Sequence, residues 1–122
     1  MEKYLDVMQR SLELSRTALL GIDFVKTKLQ QRSFDGTESM MIDIIEAFQS
    51  METSLRIYSG QLESERLEEL TERLRSSFEQ LVVNYEQKNM EHALLSIENR
   101  IMPDYQAWQE ELEAKINGKI LN

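Results

Sequence analysis

The sequence predicts an all-α protein, an up-down-up-down antiparallel four-helix bundle. Three observations carry that expectation. Four long segments space their apolar residues three or four apart, the interval that lines one face of a helix. One proline and four glycines in 122 residues leave too few turn residues for a sandwich or barrel, in which turn signals recur roughly every 8 to 12 residues. The breaks between segments are short, and short connections join neighbouring helices antiparallel.

The first helix is expected over residues 2–31. Leu5, Met8, Leu12, Leu19, Ile22, Val25 and Leu29 form its stripe, with one turn skipped at Ser15. Gly21 lies inside and marks either a kink or a close helix crossing, at a cost of about 1 kcal/mol against alanine. Lys26, Lys28 and Arg32 suit the negative end of the helix dipole. Asp35-Gly36 then favours a tight turn, with Thr37 or Ser39 positioned to accept the free amides of the next helix.

The second helix has the most regular pattern. Thr37, Met41, Ile44, Phe48, Met51, Leu55 and Tyr58 alternate four and three apart, a repeat of about 3.5 residues that holds one seam against a partner at a shallow angle. Gly60 is its expected stop, since glycine takes the left-handed conformation at no steric cost. The third helix is expected over residues 63–87, with Leu67, Leu70, Leu74, Phe78, Leu81 and Tyr85 inward and a solvated face of Glu and Arg outside. After the polar run 86–89, the fourth begins near Met90 and runs to Ile116, closed by Asn117-Gly118. Its stripe is Met90, Leu94, Ile97, Ile101, Tyr105, Trp108, Leu112 and Ile116. Pro103 falls inside, and it either kinks the helix or divides it in two.

Length and composition set the class. Residues 1–122 make one domain, long enough to bury roughly two thirds of the unfolded surface. Hydrophobic residues at 41% and charged residues at 30% are normal for a folded chain. The absence of cysteine removes disulfides, thiolate chemistry and sulfur-ligated metals. The first residues lack the basic and then apolar run of a signal peptide. No stretch approaches the ~18–20 apolar residues of a membrane span, so the expected location is the cytoplasm. A net charge of −8 keeps a small bundle soluble and repels phosphate backbones and anionic headgroups, so neither nucleic acid nor membrane is an expected partner.

The chemistry-bearing residues do not assemble into a recognisable site. A di-iron bundle needs two Glu-x-x-His turns, whereas the single histidine, His92, is preceded at that spacing by Asn89. A phosphotransfer histidine is usually followed by a lysine and a glycine, and here Leu95 and Ser96 stand in those places. No nucleophile elbow, phosphate loop or dinucleotide fingerprint occurs. The chain is therefore expected to be no enzyme and to hold no cofactor and no metal.

The remaining signal is apolar. Seven methionines exceed what one core stripe needs, so they either fill irregular gaps or line a groove for a partner helix. Phe24, Phe34, Met40 and Ile42 fall partly off the main stripes and are candidates for a partner or self-association patch. Phe34, Met40, Met41 and Ile42 are the expected partner contacts.

Ile97-Glu98, Ile101-Met102-Pro103 and Trp108 together resemble a segment of a family of small, uncharacterised bacterial helical-bundle proteins. In that pattern an apolar residue and Glu precede Tyr-Glu, two apolar residues and Pro, with Trp five residues on. Asn99 and Arg100 stand where the pattern has Tyr and Glu. The resemblance covers about a dozen residues and implies a helical bundle. In size, acidity and helix order the chain is also similar to flagellar export chaperones, which hold an aggregation-prone secreted subunit by its helices. The expected function is thus a non-enzymatic protein-interaction module of the chaperone or adaptor kind, binding another protein's helix or a second copy of itself. The alternatives are a histidine phosphotransfer-type signalling domain using His92, or a structural or regulatory homodimer.

Overall fold

A computed structural model describes the backbone of residues 2–121 and the side chains of residues 4–119. The described helices are α1 (Glu2–Gln30), α2 (Thr37–Leu62), α3 (Glu65–Glu86), α4 (Met90–Ser96) and α5 (Met102–Leu121), with a π-helical turn, Ile97–Ile101, joining α4 to α5. No strand occurs among the described residues, and α4, the π-turn and α5 form one continuous rod. The architecture is a four-helix bundle.

Side-chain bonds fix the directions. Arg16 pairs with Glu113 and Gln30 with Glu98, so α1 runs opposite to the fourth rod. Ser64 bonds Glu111 and Trp108 bonds Thr71, so α3 runs opposite to it as well. Arg75 of α3 meets Glu52 of α2 while Phe48 packs against Phe78, which makes α2 antiparallel to α3. The topology is up-down-up-down.

The stripes read from the sequence are the inner faces. Ile44, Phe48, Leu74 and Ile101 are all buried. At the centre Phe48 lies 5.2 Å from Phe78 and 5.5 Å from Trp108, whose ring is 5.3 Å from Tyr105, separations at which tilted and edge contacts of aromatic rings are favourable. The polar tips of this cluster are satisfied. Trp108 Nε1 donates to Thr71 Oγ1 at 2.9 Å, and Tyr105 Oη donates to the Ser15 carbonyl at 2.7 Å.

Several local expectations are corrected by packing. The turn skipped at Ser15 is not a gap: Ser15 is fully buried, its hydroxyl bonds Leu12 O, and Ala18 rather than Leu19 continues the inner face. Gly60 does not end α2, which runs on to Leu62. Burying Leu62, only 4% exposed, is worth about 2 kcal/mol, more than the ~1 kcal/mol a helical glycine costs. Asn117-Gly118 likewise does not close α5, which continues to Leu121. Neither Thr37 nor Ser39 caps α2. Gly36 holds the cap position at φ 80°, without a side-chain bond, and the Thr37 hydroxyl turns back to donate to Phe34 O at 2.8 Å. α3 starts at Glu65, after Ser64, whose hydroxyl accepts from Leu67 N.

The connections also explain how so few glycines suffice. Arg32, Glu63 and Lys88 take the left-handed conformation, one in each connection, with φ of 58°, 50° and 55°. Gly21 proves to be a crossing rather than a kink. A Cβ there would stand 3.0 Å from Ile44 Cγ1 and 3.3 Å from Met40 Sδ, so its absence lets α2 lie close against α1. Of the two outcomes expected at Pro103 the kink is the one found: the rod bends at a π-helical piece and is not divided. The π-turn admits one extra residue, with Met102 N donating to Ile97 O, and this wide turn accommodates the proline ring and its missing donor. It also keeps Ala93, Ile97, Ile101 and Tyr105, each four apart, on the inner face. No helix of the described residues is long and apolar enough to cross a membrane.

Candidate functional site

The close crossing at Gly21 has a counterpart on the other side of α2. While α2 approaches α1 along much of its length, it comes near α3 at only a few points. A groove therefore runs along the α2–α3 seam in three successive hollows of about 280, 320 and 190 Å³. The first lies between Ile42, Ile45, Val82 and Tyr85. The second has Phe48 and Phe78 in its floor, flanked by Ile45, Gln49 and Val82. The third lies over Leu55, Leu62 and Leu67 near the turn between the helices.

Sequence position explains the apolar walls. Ile45 and Val82 each follow a core residue, Ile44 and Leu81, so on a helix they sit beside the inner stripe and widen it. Both are half-buried. Ile42 extends the patch outward and is 46% exposed.

At the waist of the groove stands an ion pair. Glu52 on α2 is only 7% exposed, and the Arg75 guanidinium meets it with two nitrogens, Nη2 at 2.7 Å and Nε at 3.1 Å. Arg56 Nη2 lies 3.6 Å from the same carboxylate. A carboxylate taken this far from water needs such partners, and the two-pronged geometry of arginine suits it. The hydrogen bond to Glu52 raises the Arg75 pKa, opposed by burial and helped by the charges of Glu52, Glu72 and Glu79. In the first hollow burial pushes the Tyr85 hydroxyl up, and the nearby Glu38 adds to that.

The predicted contact residues do not form one patch. Ile42 is on the wall of the first hollow, and Met41 reaches its floor but is a core side chain, 4% exposed. Met40 is on the opposite flank of α2, facing Gly21 of α1. Phe34 is at one end of the bundle, beside a separate hollow lined by Leu29, Arg32 and Met90. Phe24 is 40% exposed, on α1, with Lys28 Nζ 5.6 Å from its ring centre. His92 is exposed in the first turn of α4, where Asn89 caps it: Asn89 Oδ1 accepts from His92 N at 3.1 Å, and Asn89 Nδ2 is 3.0 Å from Nδ1. Among the described residues no three His, Asp or Glu side chains are grouped so as to hold a metal ion.

Sequence reasoning passed over Ile45, Glu52, Arg75 and Val82. Ile45 and Val82 left a signal, as apolar neighbours of core positions. Glu52 and Arg75 left little, since each reads as one more charge on an acidic, arginine-bearing helix.

No curated protein and no solved structure matches the chain. A family model described as Domain of unknown function (DUF8042) matches residues 6–111, a span that takes in the whole groove and the π-turn, and the chain belongs to that family.

Proposed function

We propose that the chain is a non-enzymatic protein-interaction module, of the chaperone or adaptor kind, which receives an amphipathic helix of another protein in the α2–α3 groove. The observation that carries this reading is the groove itself: a seam that the bundle leaves open, with two phenylalanines in its floor and half-buried aliphatic walls. Between Glu38 and Leu62 the groove follows 24 residue steps of α2, roughly 36 Å of helix. A guest helix of about 20 residues fits that length, with anchors at i, i+3 or i+4, and i+7 pressed between Ile45 and Val82. The mechanism is burial: the guest's apolar face leaves water, as does the exposed part of the walls. The likeness to bacterial flagellar export chaperones supports this task, and the cytoplasm as its place, by analogy.

The test uses the full chain and a 20-residue amphipathic helical peptide with leucine anchors and a glutamine face. In amide NMR spectra, saturable shifts are expected at Ile42, Ile45, Gln49 and Val82, and Ile45→Asp should abolish them while helicity and melting temperature stay near those of the parent. Both Ile45 and Val82 are half-buried, so a charge there is tolerated better than in the core. Absence of saturable shifts, shifts confined to the outer face of α1, where Leu20 and Phe24 are exposed, or binding indifferent to Ile45→Asp would remove the proposal.

A further inference from the structure

We infer that the helix taken by this groove is a basic one, with lysine or arginine flanking its apolar stripe. The inference rests on the groove reading above and adds the partner's charge. The chain holds 22 acidic and 14 basic residues. Seven of the acids and two of the bases line the three hollows, so the remainder is near balance at fifteen against twelve. The excess negative charge is thus concentrated along one seam rather than spread over the bundle.

The two bases are already engaged. Arg75 and Arg56 both pair with the buried Glu52, and that cluster occupies the waist. The other six acids, Glu38, Glu46, Glu68, Glu72, Glu79 and Glu86, are exposed along the two edges. On α3, Glu72, Glu79 and Glu86 are seven residues apart, about two helical turns or 10.5 Å. A guest helix lying along the groove presents its flanking positions at the same seven-residue interval, so one cation per heptad meets each of these carboxylates. The acids also act against other occupants. A second copy of this chain would set acidic edge against acidic edge, and phosphate-bearing partners would be repelled.

The experiment uses three fluorescent peptides with the same leucine stripe and flanks of lysine, glutamine or glutamate, titrated into the full chain by anisotropy at low and at moderate salt. The lysine peptide is expected to bind about tenfold tighter than the glutamine peptide at low salt, as two or three edge pairs of ordinary strength would give, with the gap closing as salt rises. Glu72→Gln, Glu79→Gln and Glu86→Gln combined should remove most of the gap without loss of helicity, since all three side chains are exposed. Equal binding of lysine and glutamine peptides, or a preference for glutamate flanks, overturns the charge inference and leaves the groove standing. If Ile45→Asp fails to weaken the lysine peptide, its binding is unspecific attraction and the groove reading falls with it. Sedimentation showing a dimer that peptide cannot displace would also overturn it, by making a second copy the occupant.

Discussion

Replacing Gly21 with alanine tests the packing that draws α2 onto α1 and leaves the groove open. The gain is simple: alanine in a helix interior is better than glycine by about 1 kcal/mol. Against it stands the new methyl group, 3.0 Å from Ile44 Cγ1, 3.3 Å from its Cδ1 and 3.3 Å from Met40 Sδ. Met40 is half-buried and flexible, so its thioether swings aside at little cost. Ile44 is branched at Cβ, stiff, and 6% exposed. A void of only about 10 Å³ lies beside it, so it cannot move far. Overpacking of this kind costs about 1–3 kcal/mol, and a middle value leaves Gly21→Ala less stable by roughly 1 kcal/mol. Gly60 and Gly118 are helical with nothing within 4 Å of an added Cβ. Alanine there should stabilise by ~0.4–1 kcal/mol, with the smaller gain near the end of α5. Urea unfolding followed by circular dichroism measures the contrast. With a slope of roughly 1–3 kcal/mol per molar urea, the Gly21→Ala midpoint falls by about 0.5 M while that of Gly60→Ala rises by a few tenths. In an Ile44→Ala background the sign at position 21 should reverse, because the obstructing atoms are gone. If Gly21→Ala stabilises as much as Gly60→Ala, the close crossing is not what the position is for.

Two more outcomes follow from the fourth rod. Burial raises the Tyr105 pKa well above the ordinary 10.0, so in alkali the unfolded state loses this proton first. Its contribution to stability is complete below pH 10 and fades as pH climbs past it. Tyr105→Phe should cost about 1 kcal/mol at neutral pH, where the bond to Ser15 O is lost. That deficit should vanish near pH 11, since one unit beyond the unfolded pKa is worth about 1.4 kcal/mol. A constant gap between the two proteins from pH 7 to pH 11, read by urea midpoints, contradicts the burial argument. Deleting Asn99 removes the extra residue of the π-turn and forces Pro103 into a regular helix. The cost expected is ~3 kcal/mol, most of it recovered when Pro103→Ala is added. Equal stability of the deletion with and without the proline would show that the wide turn has another cause.

Much of this molecule was legible from spacing alone. Every residue of the run Met41, Ile44, Phe48, Met51, Leu55, Tyr58 is buried as its interval requires, and so is each from Ile97 through Ile116 on the last stripe. Helix ends were harder, because they are decided by single contacts: Leu62 draws α2 past Gly60, and Glu63 instead of glycine takes the left-handed turn. The four contact candidates point different ways for a related reason. Phe34, Met40, Met41 and Ile42 stand close in sequence and were grouped, but a helix sends Met40 toward α1, Met41 into the core and Ile42 toward α3. Only Ile42 and the edge of Met41 belong to the groove.

By itself the sequence determined how many helices there are, their order, and which face of each avoids water, because the helical period writes that face into every three or four residues. Tertiary structure alone decided that α2 sits tightly on α1 and loosely on α3, that Glu52 is buried under two arginines, and that Pro103 is absorbed by a π-turn. Those outcomes depend on the distance between helices and on what meets each flank. A single helix's pattern of apolar and polar residues is the same whichever neighbour comes near.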